Sequence, residues 1–314
     1  MTTTLENLIH DVHQRSANHH DEIIPVKDME FDSLSKVWVA GKPVDVMPSA
    51  QRLLSNRLRV PYTYLERCPE ELQARNLNFW IEQEAKQRST FFCRFDGQKI
   101  RAVFTERYKP LDNMEILSQL VENGFDSSAE VQYSIDESMF LVKIPEYSRT
   151  FNVSSAHEKQ DRIVPGISLT NSEVGIMAFS IEAFFYRLVC TNGLITMTSS
   201  TSRFKHISSR GLENFNDVIA QAIQNSIHNQ SMFQISRQSE VTNPIASIEM
   251  FSHQFGLTQI ETEAVKTAYM NEQGSSMFYV INAFTAAAKS PGLTTGEIYK
   301  LEKTGGQILA MVKK

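Results

Sequence analysis

Nine basic residues and Phe204, in two stretches, have the types and spacing of an anion-binding surface. Arg94, Lys99 and Arg101 lie on or beside one hairpin pattern, and Arg107, Tyr108 and Lys109 follow it. Arg187 comes directly after Tyr186, and Arg203, Phe204, Lys205 and Arg210 stand downstream beside a Ser/Thr run. Lys and Arg supply attraction to phosphate, and an exposed Tyr or Phe is a platform on which any base can stack. Ser199, Ser200 and Ser202 would add neutral phosphate contacts. The competing reading makes Tyr186 and Phe204 core residues, because apolar residues alternating along a strand point inward.

These stretches stand out against the balance of the chain. Its 314 residues carry 31 Lys and Arg against 36 Asp and Glu, a net charge of −5. That balance alone argues against nucleic acid. Residues 52–109, however, hold 12 basic and 7 acidic side chains, and residues 183–212 hold 4 basic and no acidic ones. Two basic blocks sit inside an acidic chain.

Other chemistries have weaker signals. No Walker phosphate loop, dinucleotide-binding glycine pattern, zincin motif or nucleophile elbow is present. No catalytic residue, metal ligand or cofactor is therefore assigned. His10 and His13 at i, i+3, with Asp11 or Asp21, could hold a metal, but a solvated N-terminal helix explains them as well; His19 and His20 complete that cluster. Glu82, Glu84 and Lys86 form a nuclease-like E-x-K triplet, but on a helix Glu82 and Lys86 suit a surface ion pair. Cys68, Cys93 and Cys190 are too few and too scattered for a disulfide framework or a zinc site, which predicts reduced, unligated thiols.

The elements that must position these residues divide by periodicity. Leu5, Leu8, Ile9 and Val12 predict a short amphipathic helix, and Pro48 and Pro69 open two further helices. Thr90–Phe95 and Ile100–Phe104 flank Asp96-Gly97, the strongest hairpin signal in the chain. Asp112 and Glu115 have the spacing of a capping box. Val131–Ile135 and Met139–Ile144 predict a second hairpin, and residues 146–162 a polar loop. Strands over Gly175–Ile181 and Phe184–Cys190 lead to Asn192-Gly193, which predicts a turn into Leu194–Thr198.

From Leu212 the pattern turns helical. Phe215, Ile219, Ile223 and Ile227 trace one apolar stripe. Pro244 to Gly256, the Thr258–Glu261 capping box, Met277–Ala288 and Gly296–Val312 mark four more helices. The reading is an α+β protein: an acidic segment over 1–47, a strand-rich α+β core with hairpins and short helices over 48–211, and an all-helical C-terminal portion over 212–314. The longest apolar run is too short and too charged for a membrane span, and the N-terminus lacks the pattern of a signal peptide, so the expectation is a cytoplasmic protein.

Several stretches, taken in order, resemble a phage- and plasmid-borne family catalogued only as domain of unknown function nine-three-two. They are Pro48–Leu54 with Arg59-Val60-Pro61-Tyr62-Thr63-Tyr64-Leu65-Glu66-Arg67, then Arg107-Tyr108 leading to Asp112-Asn113, and Arg187-Leu188-Val189-Cys190-Thr191-Asn192. Asn282-Ala283-Phe284-Thr285 and Leu301-Glu302 with Gly305-Gly306 follow. The resemblance covers the chain from about residue 48, implies a mobile-element origin, and brings no catalytic residue with it. Separately, hairpins leading into a long amphipathic helix over 175–233 are similar to the β-β-β-α core of single-strand annealing proteins, an analogy of fold alone.

The function expected is single-stranded nucleic-acid binding or annealing. A protein-binding factor that inhibits a host defence system is the alternative, and a metal-dependent enzyme the third. A homo-oligomer is compatible with each.

Overall fold

Two antiparallel hairpins, each built on alternating apolar residues, are the centres of two separate sheets. The computed structural model describes residues 1–153, 161–188, 192–196, 202–204, 220 and 231–312. In chain order these form β1 (Thr2–Thr4), α1 (Leu5–Arg15), β2 (His19–Pro25), β3 (Met29–Ser33), β4 (Lys36–Val39) and β5 (Lys42–Val46). Then come α2 (Pro48–Leu58), α3 (Tyr62–Leu65), α4 (Glu70–Ala85), β6 (Thr90–Asp96), β7 (Lys99–Phe104) and α5 (Asn113–Glu122). The second half holds β8 (Glu130–Ile135), β9 (Phe140–Pro145), β10 (Phe151–Val153), β11 (Asp161–Asn171), β12 (Phe179–Arg187), β13 (Asn192–Thr196) and β14 (Ser202–Phe204). Helix α6 covers 231–238, and α7 (Pro244–Gln254), α8 (Gln259–Asn271), α9 (Met277–Ala287) and α10 (Thr295–Met311) complete the chain. The fold class is α+β, as the periodicity predicts.

The first sheet has the order β2-β6-β7-β5-β4-β3 and is antiparallel except where β5 runs parallel to β7. Helices α2 and α4 cover it, enclosing Phe31, Leu54, Leu65, Leu77 and Phe91. Each such side chain, fully buried, contributes about 1.5–3 kcal/mol. The strands β2 to β5 all come from residues 1–47, so the expected boundary at 47/48 is crossed by the β2–β6 and β5–β7 pairings.

The second sheet is antiparallel, in the order β1-β8-β9-β11-β12-β13, with β10 also on β11 and β14 also on β12. Its pleat sorts the side chains. Phe140, Val142 and Ile144 of β9 meet Leu5, Leu8 and Val12 of α1 and Ile116, Leu117 and Leu120 of α5. Leu141, Val164, Phe184 and Tyr186 point the other way, toward Ile298 and Tyr299 of α10. Ile163 and Phe185 join Phe233, Phe278, Ile281 and Phe284 in the core of the helical portion.

Three local expectations change. Asn192 and Gly193 do not form the turn: both lie inside β13, opposite Arg187 and Tyr186 of β12. What position 193 requires is space, because a Cβ there would sit 2.6 Å from Glu302 Oε1 and 2.8 Å from the Phe184 ring. The stretch 146–162 is not all loop, since β10 and the first residues of β11 pair within it. Gly175 is a turn residue at φ +72°, and the strand begins at Phe179. The apolar stripe at Phe215, Ile219, Ile223 and Ile227 lies outside the described residues, as does Cys190. Among the described residues, no helix is long and apolar enough to cross a membrane.

Candidate functional site: the cleft between the sheets

The two sheets meet at Glu173, in the turn that follows β11. One carboxylate oxygen receives Arg101 Nη1 of β7 at 2.7 Å, and the other receives the backbone N–H of Asn113 at 2.7 Å. The Glu173 carbonyl accepts from Arg94 Nη1 of β6 and from the Tyr108 hydroxyl. Both side chains of the Arg101–Glu173 pair are buried.

This arrangement explains the start of α5. Asp112 has the position and the backbone of an N-cap, yet its carboxylate bonds Arg94 Nη2 and makes no cap hydrogen bond. Glu173, from another element, satisfies the first free N–H of the helix instead and places negative charge at the positive end of its dipole. Asn171 donates to Leu111 O and to Asn113 Oδ1, each at 2.9 Å, holding the same junction.

Beside the junction opens a cleft of about 220 Å³. His19, Asp96 and Arg101 of the first sheet line one part of it, and Asp136, Glu137 and Ser138 from the β8–β9 turn line another. His19 Nδ1 lies 3.7 Å from Glu173 Oε2. Burial, reinforced by the Arg101 charge, lowers the His19 pKa against the opposing pull of Glu173 and Asp96. Its imidazole is therefore held neutral at pH 7, able to donate at one nitrogen and accept at the other. Asp136 is occupied: it accepts the backbone N–H groups of Ser138, Met139 and Thr295. Asp96 and Glu137 have no ion-pair partner among the described residues. Arg101 Nε is buried with no hydrogen-bond partner.

The ten residues singled out by sequence divide sharply. Arg94, Arg101 and Arg187 are only 2%, 6% and 7% exposed, and each is bound to carboxylates. Arg94 donates to Asp21 and Asp112; Arg187 donates to Asp161 through Nε and to the two Glu272 oxygens through Nη1 and Nη2, at 2.7 and 2.6 Å. These guanidinium groups hold elements together. Lys99, Arg107 and Lys109 are exposed, with no ion-pair partner among the described residues. In β14, Arg203 stands opposite Ser180 and Phe204 opposite Phe179; their side chains, and all of Lys205 and Arg210, lie outside what is described. Tyr186 is a core residue.

A second polar junction binds the helical portion to the sheet. Asp161 is shared by Arg187 and Arg237, Asn282 donates to Glu272 Oε2, and Arg237 lies 4.1 Å above the Phe278 ring. On the opposite face, Lys143 and Glu302 form a buried pair at 2.5 Å against Gly193. Several residues of the motifs that carry the resemblance sit at these junctions: Tyr108 and Asn113 at Glu173, Arg187 and Asn282 at Glu272, and Glu302 beside Gly193.

Sequence reasoning missed Glu173 and His19 as site residues. Glu173 sits in a stretch, residues 110–182, with 12 acidic and 4 basic side chains, where one carboxylate looks like any other, and only the fold brings the turn after β11 to β7. His19 was grouped with His10 and His13, whereas β2 carries it away from α1. His10 bonds Gln14, and among the described residues no group of three or more His, Cys, Asp or Glu is placed to hold a metal. The E-x-K triplet is dispersed: Glu84 pairs with Arg57 and Arg88, and Lys86 bonds Gln83.

No curated protein and no solved structure matches the chain. One family model does match, over residues 101–286, which takes in Arg101 of β7, the Glu173 turn, and the Arg187–Glu272–Asn282 junction. With more than half of its length covered, the chain belongs to the family described as Domain of unknown function (DUF932).

Proposed function

We propose that this protein binds single-stranded nucleic acid, in the setting of a phage, plasmid or other mobile element. The observation that carries the reading is the exposure of Lys99, Arg107 and Lys109 without carboxylate partners among the described residues, in a chain of net charge −5. Lys99 opens β7 at the hairpin turn, and Arg107 and Lys109 flank Tyr108 in the loop leading to α5. Free surface cations suit a phosphate backbone. Arg203, Phe204, Lys205 and Arg210 extend the same reading, with Phe204 as a stacking platform. Annealing of two strands, assembly of several copies and a cytoplasmic location follow as parts of this proposal. Arg94, Arg101 and Arg187 then act as the frame behind the surface.

The test is binding of a labelled oligothymidylate across a salt series. Replacing Lys99, Arg107 and Lys109 together by Ala should weaken binding of all sequences equally and make the dependence on salt shallower by about one contact each. Absence of binding by the wild-type protein at low salt overturns the reading.

A different observation favours the alternative, a factor that binds a host protein. Helix α4 presents Leu72, Phe79 and Trp80 on its outer side, with Phe79 and Trp80 55% and 43% exposed and in edge contact with each other. Exposed aromatic groups of this kind mark protein interfaces. Replacing Phe79 and Trp80 by Ser should abolish such binding and leave strand binding unchanged.

A further inference from the structure

Helix α4 turns one side to the first sheet and leaves the other bare. Leu77 and Ile81 are buried on the inner side, while Phe79 stands exposed on the outer one. At 3.6 residues per turn, Glu71, Arg75 and Glu82, with Lys86 at the C-cap, fall in one stripe beside Phe79. All four are exposed. Glu71 and Arg75, and again Glu82 and Lys86, have the i, i+4 spacing of ion pairs within a helix. Neither pair forms. Lys86 bonds Gln83 at 2.9 Å, and the other three have no ion-pair partner among the described residues. Leu72 and Trp80, both exposed, border the other flank of Phe79.

The order of charge along this stripe points to what covers it. From Glu71 to Lys86 it reads negative, positive, ring, negative, positive. Read backwards it is positive, negative, ring, positive, negative. A second α4 laid antiparallel across Phe79 therefore meets the first with opposite charges throughout: Glu71 of each copy faces Lys86 of the other, and Arg75 faces Glu82. The spacing agrees. At a rise of about 1.5 Å per residue, Glu71 and Lys86 lie about 12 and 10.5 Å to the two sides of Phe79, and Arg75 and Glu82 about 6 and 4.5 Å. In an antiparallel pair each flank also meets its own counterpart, so Leu72 and Trp80 gather with their copies. A parallel pair would set the charged flank against those apolar groups instead.

We propose that the outer face of α4 binds a second copy of this chain, antiparallel, about a two-fold axis beside Phe79. An interface of that symmetry uses one patch on both subunits, and the patch must complement itself. A foreign partner would have to reproduce the charge order of α4, which a second copy already has. The inference goes beyond strand binding, which only allows for several copies, and it stands without nucleic acid. A helix of 16 residues is about 24 Å long, less than a standard interface needs. The dimer is accordingly weak and depends on concentration, and its charged pairs make it weaker as salt rises.

The experiment is sedimentation of the full-length protein without nucleic acid, from micromolar to millimolar concentration. The expected result is a dimer that dissociates on dilution. Arg75→Glu and Glu82→Arg, both at exposed positions, each bring like charges together twice in the dimer and should weaken it about tenfold. A melting curve confirms that each variant folds. Mixed in equal amounts, the two variants again face each other with opposite charges, and the mixture should dimerise as the wild type does. Recovery on mixing upholds the antiparallel α4 pair, because no general loss of structure produces it. Loss in both variants without recovery overturns that pairing. A dimer that both variants leave intact overturns it too, since the copies then meet elsewhere. A protein monomeric throughout overturns the proposal and leaves the α4 face to a foreign partner. Strand binding is read separately by the salt series, so either reading can fail without the other.

Discussion

Glu173 and Arg101, 72 residues apart in sequence, form a buried ion pair at 2.7 Å that joins the two sheets. The same carboxylate caps α5 through Asn113, so one side chain serves a sheet–sheet contact and a helix start together. Its removal should therefore cost more than a surface pair. Glu173→Ala leaves Arg101 buried without a counter-charge, and the expected loss is about 3–5 kcal/mol in denaturant unfolding. Replacing both residues by apolar ones of similar size should recover much of that loss. An additive double variant would show that the two side chains do not act as a pair.

Gly193 can be tested the same way. In Gly193→Ala the new methyl group meets Glu302 Oε1, the Phe184 ring and Lys143 Nζ at 2.6, 2.8 and 3.0 Å. Those atoms end a buried ion pair and a core ring, so the substitution should lower stability by about 1–3 kcal/mol, read as a drop in melting temperature.

Cys93 is buried in the first sheet, and that burial pushes its thiol up to about 12. Only the thiolate reacts. At pH 8, native protein should label at the half-buried Cys68 long before Cys93, and denaturant should remove the difference. Mapping the labelled peptides gives the answer, and rapid native labelling of Cys93 would contradict the packing.

His19 makes stability depend on pH. Its pKa is lowered in the fold, first by burial and then by Arg101, while Glu173 and Asp96 pull it upward and Arg94 adds a smaller downward push. Between that lowered value and the unfolded value near 6.5, the unfolded chain binds the proton more readily. Stability is thus full above about pH 6.5 and falls as the pH drops through the window below it. His19→Gln should flatten this part of the profile, measured as the denaturation midpoint at successive pH values between about 7.5 and 5. An unchanged profile would place the pH dependence on other groups.

What the sequence revealed follows how local each signal is. The hairpin at Asp96-Gly97, the helices at Pro48 and Pro244, and the Thr258–Glu261 box all rest on residues within a few positions of each other, and all form. A second box at Thr294–Glu297 has the same local pattern and went unread. Asp112 and Glu115 have the spacing of a cap, but a distant arginine takes the Asp112 carboxylate and a distant glutamate bonds the first helical N–H in its place. Charge shows the same limit. Arg94, Arg101 and Arg187 look unopposed because their carboxylates lie in other blocks of the chain, and folding brings Asp21, Glu173 and Glu272 to them. Lys99, Arg107 and Lys109, exposed in the structure, are the part of that expectation still available to a ligand.

The parallel pairing of β5 with β7 has a consequence for how the molecule can be divided. The stretch recognisable as a family begins at Arg101, within β7, and ends within α9. A polypeptide cut there would lose the first two residues of β7, and β6 and β5 on its two sides, along with α10 and its hold on β9 through Glu302. Its open strand edges would be templates for aggregation. The length that sequence comparison can recognise is therefore shorter than the length that can fold, and the residues that close the gap come from both ends of the chain.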